Sequence, residues 1–101
     1  MGGTSTEDLS RWFDDGVAQG ATHMVVVCDT FDWSDYPVYV SKGENPQEVF
    51  DKNNGPNMTR GMECYALWKP KTPQMAQRRT FDFEAAPADA LLSEKHKGGG
   101  K

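Results

Sequence analysis

The stretch from His23 to Thr30 reads His-Met-Val-Val-Val-Cys-Asp-Thr, and its middle is apolar at every position. Three consecutive β-branched valines favour a strand over a helix. Alternation sends successive side chains to opposite sides of a sheet. A strand apolar on both sides must be covered on both, so this stretch predicts a central strand. A fold for the chain has to be built around it.

The segments before and after supply the partners. Leu9, Trp12, Phe13 and Val17 recur at spacings of three and four, which predicts a helix over 6–19. Ser5 or Thr6 caps it, Glu7 and Asp8 suit its positive end, and Gly20 stops it. Phe31 to Asp35 reads as a turn and Tyr36 to Ser41 as a second strand. Pro37 has no N–H to give to a ladder, so that strand belongs at a sheet edge. Asn45 followed by Pro46 opens a second helix, with Val49 and Phe50 as its apolar side. Asn53-Asn-Gly-Pro56 ends it, Met62 to Trp68 reads as a third strand, and 73–80 reads as a short polar helix.

The expected fold is α+β. It is a three-stranded antiparallel sheet of order 2-1-3, with helices mainly on one face, in the order αββαβ(α). Residues 1–5 are expected to be a flexible leader, 6–83 a single domain and 84–101 a flexible tail. On this arrangement Val25, Val27, Tyr65 and Leu67 would share an uncovered apolar face. That predicts a homodimer built on those four side chains.

No apolar run reaches the length of a membrane span, and no secretory signal is expected. Met1 to Thr6 formally fits a myristoylation pattern, and Asn57-Met-Thr59 a glycosylation acceptor; both are read as chance matches. Cys28 and Cys64 lie in strand-like runs and are expected to be buried, reduced thiols. The net charge of −4 conceals a division. Residues 1–55 carry ten acids and three bases, whereas 56–101 carry eight bases and five acids. Without an overall basic excess, general nucleic-acid binding is not expected.

The segment Arg11-Trp-Phe-Asp, then the run from Gly20 to Val40 with its Cys-Asp-Thr-Phe-Asp and Asp-Tyr-Pro-Val-Tyr-Val strings, resembles a family of small uncharacterised tailed-bacteriophage proteins. The likeness extends more loosely through Asn57-Met58, Met62 to Tyr65 and Arg78 to Phe83. It implies a phage gene product acting in the host bacterial cytoplasm. It implies no activity, cofactor or site residue.

Two surfaces could carry function. Asp29, Asp32 and Asp35 surround the hairpin turn with Trp33 and Tyr36 among them. Aspartates are ordinary turn residues, but a tryptophan at a turn tip is a costly residue to leave in water. Arg60, Lys69, Lys71, Arg78 and Arg79 flank the third strand and, with Tyr65 or Trp68, could hold a phosphate-bearing ligand. No phosphate loop, nucleophile elbow or zinc-protease motif occurs. His23 and Cys28 stand five residues apart on one strand and so face opposite ways.

The leading expectation is a non-catalytic binding protein without cofactor or metal. It would occupy a host protein or sequester a small nucleotide-like ligand, in the service of host takeover or anti-defence. The alternatives are a small metal-assisted hydrolase using Asp29, Asp32 and Asp35 with His23 as acid–base, and a virion assembly factor.

Overall fold

The computed structural model describes residues 5–77 and 79–87. The chain forms α1 (Thr6–Gln19), β1 (His23–Asp29), β2 (Ser34–Val40), α2 (Pro46–Lys52), a 3₁₀ turn (Pro56–Met58), β3 (Thr59–Ala66) and α3 (Lys71–Gln77). The sheet order is β2-β1-β3, with both pairings antiparallel. This is the α+β sheet that the sequence predicts.

Local chemistry sets the boundaries. The Ser5 hydroxyl accepts the Asp8 N–H at 3.1 Å, and Gly20 closes α1 at φ 82°, where a side chain would strain. The Asn45 amide oxygen accepts from the N–H groups of Gln47 and Glu48 ahead of Pro46. β2 starts two residues earlier than expected because Asp32 closes the turn onto Ser34, leaving Ser34 opposite Asp29. β3 starts earlier as well, with Thr59 opposite Asp29. It carries a bulge: Val26 faces Glu63 but Val27 faces Gly61, so Met62 is the extra residue.

The expected open sheet face is absent. β2 and β3 both run antiparallel to β1, so they are parallel to each other with β1 between them. Joining them requires a crossover past β1, and α2 is that crossover. It packs Val49 and Phe50 on Val25, Val27, Val40 and Cys64. α1 and α3 cover the opposite face, where Leu9, Phe13 and Met75 meet Met24, Val26, Tyr65 and Leu67. The register pairs Met24 with Tyr65 and Val25 with Cys64. Val25 and Val27 therefore lie on the other side of the sheet from Tyr65 and Leu67. All four are buried within one chain, none more than 5% exposed, so they do not form a dimer interface.

α3 does more than its polar sequence suggested. Gln74 is buried, and its amide pairs with both the N–H and the C=O of Ala66, at 2.8 Å each, and with the Pro70 carbonyl. Lys71 ties α3 to Ser10 and Asp14 of α1. Beyond α3, Thr80 to Asp82 runs parallel to β3 along its outer edge: Cys64 donates to Thr80 at 2.8 Å and accepts from Asp82 at 2.9 Å. The chain is still tied to the body at Glu84, where the expected tail was to begin, because its carbonyl lies 2.7 Å from His23 Nε2. The remainder of the expected tail, 88–101, and most of the expected leader, 1–4, lie outside the described residues.

Candidate functional site

The β1–β2 turn is fastened by its own aspartates. Asp29 accepts the Phe31 N–H at 2.8 Å on its carboxylate and the Trp33 N–H at 2.6 Å on its carbonyl. Asp32 accepts both the N–H and the hydroxyl of Ser34, at 3.1 and 2.7 Å. Those two bonds hold the Asp32 carboxyl below the usual carboxylate range, so it is ionised at neutral pH. The geometry forces Trp33 to φ 62°, a left-handed conformation costing a bulky residue about 1–3 kcal/mol.

The 3₁₀ turn before β3 lies beside this turn. The Thr30 N–H and hydroxyl both donate to the Met58 carbonyl, at 2.8 and 3.0 Å. Asn57 and Met58 are also left-handed, at φ 54° and 61°. The Thr59 hydroxyl donates to the Pro56 carbonyl, and Gly55 N–H donates to the Thr59 carbonyl. One end of the sheet thus presents Phe31, Trp33 and Met58, which are 76%, 55% and 53% exposed. Three of the four large apolar side chains found exposed among the described residues belong to these two adjoining turns.

Asp29, Asp32 and Trp33 therefore belong to this tip, as the sequence suggested. Asp35 stands opposite Cys28, whose thiol is pushed up by burial and by that carboxylate. Tyr36 does not belong to the tip surface: it is half-buried and packs into the α2-side core. Phe31 and Met58 extend the surface beyond the sequence reading. Phe31 was visible in the turn, whereas Met58 needed the contact between turns that only the fold supplies.

The aspartates do not form a metal centre with His23. Among the described residues, no three carboxylate, histidine or cysteine side chains converge to hold an ion. His23 and Asp29 stand at opposite ends of β1, about 20 Å apart at ~3.3 Å per residue. His23 cannot serve as acid–base for chemistry at the acidic turn.

The basic residues are likewise dispersed. Arg60 lies at the tip end of β3, opposite Cys28. Lys69 lies past the other end and is engaged: its ammonium contacts Asp82 at 2.6 Å, Glu84 at 2.8 Å and the Trp68 ring at 4.9 Å. Arg79 is exposed, with its backbone N–H donating to Glu63 at 2.7 Å. Arg78 lies outside the described residues. Tyr65 is buried and donates to Glu63, so it offers no stacking surface to a ligand. Among the described residues, Arg60 and Lys69 are not brought together to cradle a phosphate.

At the far end of β1, His23 and Cys64 share the α2 face. His23 lies 2.8 Å from the Thr22 hydroxyl through Nδ1 and 2.7 Å from the Glu84 carbonyl through Nε2. A carbonyl only accepts, so Nε2 carries a proton. Burial lowers the imidazole pKa, while burial pushes the Cys64 thiol up to about 12. A nucleophilic pair needs a thiolate beside a base, and these shifts favour the protonated thiol. A cleft of about 400 Å³ opens beside His23, between Lys42, Asn45, Phe83 and Pro87.

No helix among the described residues is long and apolar enough to cross a membrane. No protein-family model, curated protein or solved structure matches this chain.

Proposed function

We propose that the chain is a non-catalytic binding protein that acts by occupying another protein, with the β1–β2 tip as its contact surface. The observation that carries this reading is the exposure of Phe31, Trp33 and Met58 at one end of the sheet, two of them on left-handed backbone. Large exposed side chains cost solvation, and left-handed backbone at bulky residues costs conformational energy. Both costs fall on the same two turns, and aromatic anchors of this kind dominate protein contacts. The resemblance of residues 11–83 to small tailed-phage proteins supports a host protein in the bacterial cytoplasm as the target. Sequestration of a nucleotide has less support, because Arg60 and Lys69 stand at opposite ends of β3.

A photo-crosslinking residue at position 33, with a second at exposed Ala18 of α1 as control, tests the reading in bacterial lysate. A discrete adduct from position 33 alone is expected. No adduct, or the same adducts from both positions, refutes it.

A further inference from the structure

The described residues offer three places where a partner could act: the cleft beside His23, the outer edge of β2, and the tip. The polar groups at the mouth of the cleft, His23 and Asn45, are already engaged in the fold. His23 is held by Thr22 and Glu84, and Asn45 caps α2. The β2 edge is interrupted by Pro37. The tip combines unsatisfied apolar surface with a definite charge, and so constrains its partner most.

We infer that the tip takes a cationic, partly apolar segment of the partner protein, its basic side chains lying over Trp33 and Phe31 and facing Asp29 and Asp32. This rests on the binding reading above and adds the partner's chemistry. The two turns and the end of β1 between them carry the carboxylates Asp29 and Asp32 and no cation, while Asp35 and Arg60 flank Cys28 on the other face of the sheet. Asp29 and Asp32 each use a single carboxylate oxygen, Oδ1, for the turn bonds described above, so turn and partner can be served together. Arginine and lysine are the side chains that pair with carboxylates and also lie on aromatic faces. Met58 adds an adaptable apolar contact for the stem of such a residue. The same charge repels nucleic-acid phosphates and anionic lipid.

The test uses the whole chain and labelled peptides of alternating leucine and arginine, or leucine and glutamate, read by fluorescence anisotropy. The arginine peptide binds and the glutamate peptide does not. Trp33→Ala weakens binding at least about tenfold, the scale of an interface anchor. The pair Asp29→Asn and Asp32→Asn keeps an acceptor for each turn N–H while removing charge, so the fold is retained. It weakens binding and flattens its dependence on salt, since exposed charge pairs are screened within about 8 Å at physiological ionic strength. Equal binding of the glutamate peptide, or no change in the double asparagine variant, overturns the inference. Self-association that disappears with Trp33→Ala assigns the tip to a second copy of the chain and overturns it too. A position-33 adduct whose partner contact lacks lysine and arginine defeats the inference alone, leaving the binding reading intact. Absence of any adduct defeats both.

Discussion

Gly16 sits inside α1, where glycine is ordinarily a weakness. Replacing an interior helix glycine with alanine gains about 1 kcal/mol in helix propensity. Here the reverse is expected. A Cβ at this position would lie 2.6 Å from Leu67 Cδ1 and 2.7 and 2.9 Å from Tyr39 Cε1 and Cδ1. Ordinary carbon contacts fall near 3.5–4.0 Å, so the overlap approaches ~1 Å. Neither neighbour gives way freely. Leu67 is buried, and the Tyr39 hydroxyl donates to the Trp12 carbonyl at 2.8 Å, on the same helix. Overpacking of this kind costs about 1–3 kcal/mol, and disturbing the Tyr39 bond adds about 1 kcal/mol. After the propensity gain, Gly16→Ala is expected to lose roughly 1–3 kcal/mol, at about 4–8 °C in Tm per kcal/mol for a domain of this size. Thermal and urea unfolding measure it. Leu67→Val removes the closest atom, so its own destabilisation should shrink in the Gly16→Ala background. A Tm that rises on Gly16→Ala, or strict additivity with Leu67→Val, refutes the close-approach argument.

His23 should make stability depend on pH. Its folded pKa lies below the ordinary 6.5 because burial disfavours the charge, so the unfolded chain takes up the proton first as pH falls. Stability is full above about pH 6.5 and declines below it until the folded pKa is passed. His23→Gln keeps a donor for the Glu84 carbonyl and should flatten the fall of the denaturation midpoint below about pH 6.5 relative to the parent; a parallel profile counts against this. Pro37→Val should leave the fold intact and increase self-association by restoring a donor on the edge strand, visible by light scattering; unchanged association would oppose it. Cys28 and Cys64 should both titrate as free thiols in denaturant without reductant, with Cys64 unreactive in the native protein. Finding fewer than two thiols, or fast native labelling of Cys64, contradicts this.

What was legible in the sequence was what one segment decides for itself. The valines of β1, the caps Ser5 and Asn45, and Pro37 on an edge all act locally, and the sheet order followed from them. The side on which each helix lies was not legible, because it depends on which strands α2 joins. That left one sheet face open in the expectation, and the unknown pairing of β1 with β3 put Val25 and Val27 on one face with Tyr65 and Leu67. The bulge at Met62 was equally hidden, since two apolar runs fix alternation but not relative register. The burial of Gln74 was not legible in a polar stretch, because it depends on the N–H and C=O of Ala66. At the tip, Asp29, Asp32 and Trp33 announced themselves through turn chemistry, while Met58 joined them only through Thr30. The alternative that joined His23 to the acidic turn overlooked the length of β1, which holds the two at opposite ends.

Because β1 sends alternate side chains into two cores that share no residue, the sheet also partitions the energetics. Leu9 and Val49 lie on opposite sides of it, farther apart than the roughly 7–10 Å beyond which substitutions usually act independently. Truncations on the two sides should sum. Sequence change can then accumulate around Val49, Phe50 and Phe83 without the α1 side having to answer it. A chain divided in this way tolerates one side drifting while the other keeps the strands in register.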